Sequence, residues 1–328
     1  MNTAPRSNHG VTAVITSDLH GERVFSAIKG KKFLWKTDSN YKFVFRQGKN
    51  VNLFRICQNG KKVDAHSISR IYSRRPVFIN PATKYAPHVV KFATDESLEV
   101  VNAVIGICKF TTNGHVYSQG RAPNIRRNKI LQLITAKSVG LVVPETCATN
   151  DEGEARKFYD EHDGVIYKTL CQPIIEYEDG RKSMIHTSPV TSNDFHQVSA
   201  CPCLFQEKLK KDFELRVAIV GEEVRCVRID SQTREQAMID WRKAMDDESM
   251  YSTYDLPEEV KEQLINFNTR MSLNWSMTDM VVHNGKYIFL EANPDGAWLW
   301  LENIIDDFSI TKLIASEIKR GVAAYERK

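Results

Sequence analysis

The sequence predicts a mixed fold, α+β or α/β in class, built from two or three domains. Three observations predict it. The chain has 328 residues, enough for more than one hydrophobic core. Segments with the two-residue alternation of strands are interleaved with segments of helical period. Its composition, 42% hydrophobic and 26% charged, is that of an ordinary globular protein. No apolar run approaches the roughly 18 residues of a membrane span.

Val11-Thr-Ala-Val-Ile-Thr16 reads as a first strand and Gly21 to Ile28 as a short helix. Tyr41 to Val63 alternates apolar and polar residues around Gly48 and Asn59-Gly60, as strands and hairpins do. Ser69 to Pro76 is a strand ending in two arginines, followed by a helix from about Lys91 to Ile107. Asn128 to Gly140 has apolar residues at 130, 131, 133, 134 and 136, a helical face, with Gly140 as the C′ residue. Val142 to Thr146 is extended, Asp151 to Glu161 helical, and Gly164 to Leu170 a strand. Cys171 to Lys182, rich in charge and turn residues, reads as a mobile loop. Strands follow at Met184 to His186, Cys203 to Glu207 and Phe213 to Gly221. Domain borders near 120–126 and 205–212 give parts at 1–122, 123–206 and 207–328.

The seven cysteines are mostly scattered singly, and Cys201-Pro-Cys203 has no second pair at zinc-finger spacing, so they read as reduced thiols of a cytoplasmic protein. The polar segment Met1 to Gly10 lacks the apolar core of a signal peptide and reads as a lead-in. A net charge of +4, without Lys/Arg clusters interleaved with aromatics, suits an anionic substrate rather than nucleic acid.

The most informative segment is Tyr287-Ile-Phe-Leu-Glu-Ala-Asn-Pro-Asp-Gly296. A strand delivers Glu291 and, two residues on, Asn293 to the same face, and Pro294 and Gly296 stop it. Two hard oxygen ligands side by side suit Mg²⁺, which takes one or two carboxylates and fills its shell with water and phosphate oxygens. Asp279 lies upstream in a second strand-like run, across the turn His283-Asn-Gly-Lys286. A strict two-residue loop pairs Asp279 with Leu290, which turns it away from Glu291. A three-residue loop with a bulge pairs Asp279 with Glu291, and a shared metal site requires that register.

Cations accompany the carboxylates. Lys129 starts a helix, and Lys168 lies inside an apolar strand, where a lysine either snorkels to a surface or meets an anion. Glu214 and Arg216 share a strand face, and Arg242 adds a further cation. Neither a G-x-x-x-x-G-K-[ST] loop nor a G-x-G-x-x-G turn is present, so a nucleotide must use another scaffold.

In this order Lys129, Lys168, Phe205-Gln-Glu207, Glu214-Leu-Arg216, Asp240-Trp-Arg242, Asp279 and Glu291-Ala-Asn-Pro294 resemble the ATP-grasp ligases. Tyr72-Ser-Arg-Arg75, Thr187-Ser-Pro-Val-Thr191, Ser231-Gln232, Asn293-Pro-Asp-Gly-Ala-Trp298 and Trp300-Leu-Glu302 resemble, within them, the microviridin-type or graspetide peptide macrocyclases. The resemblance implies an ATP-grasp fold in three parts: an N-terminal α/β domain, then central and C-terminal subdomains with the nucleotide between them. It implies ATP and Mg²⁺, a precursor peptide as substrate and a homodimer; the hydropathy and charge pattern above lead to the expectation of no membrane or nucleic-acid partner. Side-chain carboxylates of the peptide are activated as acyl phosphates and joined to Ser/Thr hydroxyls or Lys amines.

By the same resemblance Asp279, Glu291 and Asn293 hold the metal, and Lys129 and Lys168 hold phosphate oxygens. Glu207 and Leu209 flank adenine, Glu214 takes the ribose, and Arg216 and Arg242 act at the reacting centre. Asn193, Asp194 and Gln197 grip a leader peptide; Asn193 replaces an acid and Gln197 a shorter amide of the family pattern. Another ATP-grasp carboxylate–amine ligase would share every nucleotide residue, and an idle peptide-binding scaffold would lack the need for them.

Overall fold

The computed structural model describes residues 10–49, 51–76, 86–112, 114–118, 127–170, 174–177 and 181–321. Residues 1–9 of the expected lead-in and the border expected at 120–126 lie outside the described residues. The chain divides into two compact units, one ending near Arg121 but also taking Ala297–Glu302 and the residues from Ser309 on, the other running from Ala122 to Gly296 with Asn303–Phe308.

The first unit runs β1 (Val11–Thr16), α1 (Leu19–Ala27), β2 (Lys32–Lys36), β3 (Lys42–Gly48), β4 (Val51–Gln58), β5 (Lys61–Asp64), β6 (Ile68–Arg74), α2 (Pro87–Gly106) and β7 (His115–Ser118). Strands β2-β1-β6-β7 form a parallel sheet, and β3-β4-β5 an antiparallel one. The β-branched run of β1 is almost wholly buried, as a parallel strand covered on both faces must be. Asp18 caps α1, accepting the Gly21 N–H at 3.0 Å. The core gathers Ile15, Phe33, Trp35, Ile56, Ile71 and Val104.

Trp298 belongs to this unit and is fully buried. Its indole N–H donates to Thr311 Oγ1 at 3.0 Å, and the Arg74 guanidinium lies 4.8 Å from its ring centre. Arg74 is buried too, donating to Asp18 Oδ2 at 2.9 Å. His20 packs edge-on to Trp298 at 4.6 Å and its Nε2 accepts the Trp298 backbone N–H at 3.2 Å. Burial, and then the Arg74 charge, bring the His20 imidazole down to about 4. Between pH 6.5 and that value the unfolded chain binds the extra proton, so this contribution is complete above pH 6.5 and is lost as the pH falls. The loss is on the order of 2 kcal/mol by pH 5. Melting temperatures taken from pH 7.5 to 5 should therefore fall more steeply for the wild type than for His20→Gln. Parallel curves would remove His20 as the cause.

The second unit holds β8 (Thr146–Thr149), β9 (Val165–Lys168), β10 (Ile174–Glu176), β11 (Lys182–Met184), β12 (Ser188–Pro189), β13 (Cys203–Glu207), β14 (Phe213–Val220), β15 (Glu223–Ile229), β16 (Tyr251–Thr253), β17 (Trp275–His283) and β18 (Lys286–Asn293). Its helices are α3 (Lys129–Ser138), α4 (Glu152–Asp160) and α5 (Glu258–Arg270); α6 (Leu299–Ile304) and α7 (Ile310–Arg320) follow. The sheets are β12-β9-β13-β8, the pair β10-β11, and β16-β15-β14-β17-β18, all antiparallel. The segment expected as a loop at 171–182 thus includes β10 and the start of β11, paired through Ile174–Met184. No helix among the described residues is long and apolar enough to cross a membrane.

Helix α3 ends as expected. Gly140, at φ 92°, donates to Lys137 O and the Leu141 N–H to Ala136 O, closing a Schellman motif. Its buried face differs in part from the expected one: Ala136 is buried as expected, but Ile130 and Ile134 are exposed and Gln132 is buried. The physical reason is a partner for the Gln132 amide, described below.

Candidate active site

The hairpin β17–β18 brings Asp279 opposite Glu291, the expected register. The expected three-residue loop is not there. His283 pairs with Lys286 across a two-residue turn, Asn284 (φ 49°) and Gly285 (φ 72°), whose left-handed conformations suit a tight hairpin. The extra residue lies in β18 instead. Met280 pairs with Phe289 and Asp279 with Glu291, leaving Leu290 as a bulge beside the carboxylates. Met277 pairs with Asn293, which is exposed at the strand end. The Asn293 Oδ1 accepts the Asp295 N–H at 3.0 Å, closing the turn that stops the strand.

Cations surround the pair. Arg216, opposite Asp279 on β14, donates through Nη1 to Asp279 Oδ1 at 2.6 Å. Its Nε is buried with no hydrogen-bond partner among the described residues. Lys129 Nζ lies 3.5 Å from Glu291 Oε2 and donates to Thr169 O at 2.7 Å. Lys168 Nζ donates to Gln206 Oε1 at 2.8 Å. Burial lowers the Lys168 ammonium, against the pull of Glu291. Burial raises Asp279, with Glu291 adding to the effect and Arg216 opposing it. Glu291 behaves in the opposite sense: burial would raise it, but Lys129, Lys168, Arg242 and Arg216 together hold it below the usual range. Glu291 is thus the firmer anion of the two.

Arg242 forks onto Asp240, Nε to Oδ1 and Nη2 to Oδ2, both at 2.7 Å. That hydrogen bonding raises the guanidinium further, with Asp279 and Glu291 contributing. Glu214 is buried and accepts from Lys211 Nζ at 3.0 Å and Ser231 Oγ at 2.8 Å, both on Oε1. Glu207 ends β13; its Oε1 accepts the Glu145 N–H at 2.9 Å, and its own N–H donates to Glu145 O. Leu209 is half-buried in the connector that follows.

The residues assigned to a leader peptide lie on, or at Asn193 just before, a 3-10 turn over Asp194–Ala200 packed against α4. Phe195 and Val198 point into the core; Asn193, Asp194 and Gln197 are exposed. Asp194 Oδ2 accepts from Thr191 N at 2.6 Å and Thr191 Oγ1 at 2.8 Å, which hold the carboxyl below its usual range. The carboxylate therefore braces its own turn.

Three features escaped the sequence reading. Lys211 joins the charged group through Glu214, and Gln206 holds Lys168. Gln132 grips the backbone of Ala292, between Glu291 and Asn293. Gly296 has a steric reason: a Cβ there would lie 2.4 Å from Met277 Cβ and 3.2 Å from Arg216 Nη2. The aromatic signature beyond it is structural in part. Trp298 is core of the first unit, and Glu302 accepts from Thr311 N at 2.6 Å and Thr311 Oγ1 at 2.7 Å at the start of α7.

No family model and no curated protein matches the chain. Solved structures do. A RiPP-associated ATP-grasp ligase of Chryseobacterium gregarium, in complex with ADP and a leader and core peptide, is 25% identical, with a TM-score of 0.81 over 96% of this chain and 98% of that one. The macrocyclase MdnC of Microcystis aeruginosa, bound to the precursor peptide MdnA, is 27% identical, with a TM-score of 0.78 over 94% and 99%. The ATP-grasp ligase PsnB, complexed with a phosphomimetic precursor variant, Mg and ADP, is 19% identical, with a TM-score of 0.70 over 95% and 98%, a likeness of fold alone. With facing carboxylates ringed by cations, and with this likeness running over nearly the whole of both chains, the protein has the ATP-grasp ligase fold in the form found in RiPP-associated ligases and macrocyclases.

Proposed function

We propose that the protein is an ATP-dependent peptide macrocyclase, an ADP-forming ligase acting on a ribosomal precursor peptide. The observation that carries this reading is the Asp279–Glu291 pair ringed by Lys129, Lys168, Arg216 and Arg242, in a chain whose fold matches peptide-bound ligases end to end. The γ-phosphoryl group of ATP passes to an Asp or Glu side chain of the peptide, giving ADP and an acyl phosphate. A Ser/Thr hydroxyl or a Lys amine of the same peptide attacks the acyl carbon, loses its proton, and expels phosphate. The ring closes as an ω-ester or ω-amide.

Phosphoryl transfer depends mainly on positioning and charge. Lys129 and Lys168 hold phosphate oxygens, and a phosphate anion beside Lys168 opposes the lowering that burial imposes on its ammonium. Glu214, with Oε1 already fixed by Lys211 and Ser231, offers Oε2 to the ribose. The connector Glu207 to Leu209 supplies the backbone beside adenine. Arg216 and Arg242 steady the transferring group and the acceptor carboxylate. Two facing carboxylates and a neighbouring amide, all hard oxygen donors, fit Mg²⁺ held partly by substrate phosphates, so Asp279, Glu291 and Asn293 would hold it. When bound, the ion neutralises charge on the β- and γ-phosphates.

The three-part division, with nucleotide between central and C-terminal subdomains, belongs to this proposal, as do a homodimer and a cytoplasmic setting. The test is mass spectrometry of a Thr/Ser- and Asp/Glu-rich peptide encoded beside the gene, incubated with enzyme and ATP. Each ring should remove about 18 Da, one water, with ADP released. ADP release without the mass loss would sink the macrocyclase reading. For the leader site, Asp194→Ala should weaken precursor binding about tenfold, by losing a charge-assisted contact worth roughly 1.5 kcal/mol. Calorimetry with precursor, and with ADP as the control, checks it; an unchanged peptide affinity removes Asp194 from recognition.

A further inference from the structure

Strand β18 is an edge strand, so one side of its backbone has no neighbouring strand in the sheet. At the metal-ligand end that side is closed by a side chain. Gln132, only 1% exposed, donates through Nε2 to Ala292 O at 2.8 Å and accepts the Ala292 N–H on Oε1 at 2.9 Å. The amide thus pairs with Ala292 as a peptide group of another strand would. On the other side of the Leu290 bulge, Phe289 N–H donates to Val142 O at 2.8 Å, and Val142 bridges Ile288. The bulge is therefore pinned at both ends, by Gln132 after it and by Val142 before it.

The placement is specific. Ala292 lies between Glu291 and Asn293, so fixing its peptide planes fixes the direction of both side chains. Gln132 also sits one helical turn beyond Lys129 on α3, and Lys129 faces Glu291 at 3.5 Å. One helix face thus carries a phosphate-binding lysine and the clamp on the strand that carries the metal ligands. A bulge loosens a ladder locally, and a loosened edge beside a metal site needs an external brace if ligand geometry is to hold.

We infer that Gln132 is a positioning residue for the magnesium site, acting through the Ala292 backbone to orient Glu291 and Asn293. This rests on the proposed reading of those two residues as metal ligands. The test uses the full chain, with ADP and MgCl₂ as the probes. Gln132→Met keeps much of the volume and removes the paired donor and acceptor; Gln132→Asn keeps the amide one methylene short and serves if the Met variant fails to fold.

Hydrogen exchange without nucleotide should show lost protection at the Ala292 amide in either variant. Calorimetry should show the Mg²⁺ concentration for half-maximal stabilisation of the ADP complex rising about tenfold for Gln132→Met, and less for Gln132→Asn, with ADP affinity in EDTA within about twofold of wild type. A half-point that stays put despite lost protection overturns the positioning role. So does an equal loss of ADP affinity with and without metal, the mark of a merely structural brace. Glu291→Gln measured alongside separates the two layers. If that variant leaves the Mg²⁺ half-point unmoved, the metal-site reading itself fails; if it moves the half-point and Gln132→Met does not, only the clamp fails.

Discussion

Glu291→Gln should reduce ATP-dependent product formation by roughly 10³-fold or more, with the protein still folded. The substitution is nearly isosteric, and Lys129 keeps its second partner, the Thr169 carbonyl at 2.7 Å. What changes is charge. The carboxylate is held ionised by Lys129, Lys168, Arg242 and Arg216, and it is the firmer anion of the facing pair. A neutral amide there leaves Asp279 as the sole carboxylate of the pair, one that burial shifts upward and Arg216 engages at 2.6 Å. Metal affinity falls accordingly. The same change makes the surroundings more positive, so ADP without metal should bind at least as tightly as to the wild type. Loss of turnover with retained metal-free nucleotide binding is the expected combination. Turnover within about tenfold of the wild type would remove Glu291 from the chemistry.

The pairing of Asp279 with Glu291 was legible because side-chain direction in a strand has a period of two, so a shared site demands one register. The place of the bulge was not legible. Asn284-Gly285 satisfies a two-residue turn by itself, through positive φ at both positions, and Leu290 carries no local signal of irregularity. Its bulge is held by tertiary partners, Gln132 and Val142, far away in sequence. The buried face of α3 was misread in part for the same cause. Apolar period counts Ile130 and Ile134 as core, yet a glutamine that finds both halves of a peptide partner is the better residue to bury. A signal existed: Lys129, Gln132 and Ala136 share a helical face. Trp298 was legible as a signature but not as to what it does; its burial against His20, Arg74 and Thr311 in the first unit shows part of that signature to be framework. Lys168 stood out because a lysine inside an apolar strand must have an anion to meet, whereas Lys129 at a helix start and Arg242 were singled out through the family resemblance.

Arg216→Ala should cause the second large effect, and it separates two tasks of one side chain. The guanidinium is about one-tenth exposed and Asp279 about one-fifth. Removing one partner of such a pair leaves an unpaired carboxylate, at a cost of about 3 kcal/mol, the low end for pairs broken from one side. Activity should fall by roughly 10²-fold or more, because the proposed function places this cation at the transferring group. The sign of the metal effect is the diagnostic. On the proposed metal site, Mg²⁺ would compete in the wild type with Arg216 for the Asp279 oxygen that the guanidinium grips at 2.6 Å. In the alanine variant that competitor is gone and the two facing carboxylates have one cation fewer. Mg²⁺ alone, without nucleotide, should therefore raise the melting temperature of Arg216→Ala more than that of the wild type, while activity stays low. Gly296→Ala offers a control on the same guanidinium: its new methyl group would press on Met277 Cβ and Arg216 Nη2, displacing the cation without deleting it. If Mg²⁺ stabilises Arg216→Ala no more than the wild type, the guanidinium and the ion do not share Asp279, and the metal ligands must be sought without it.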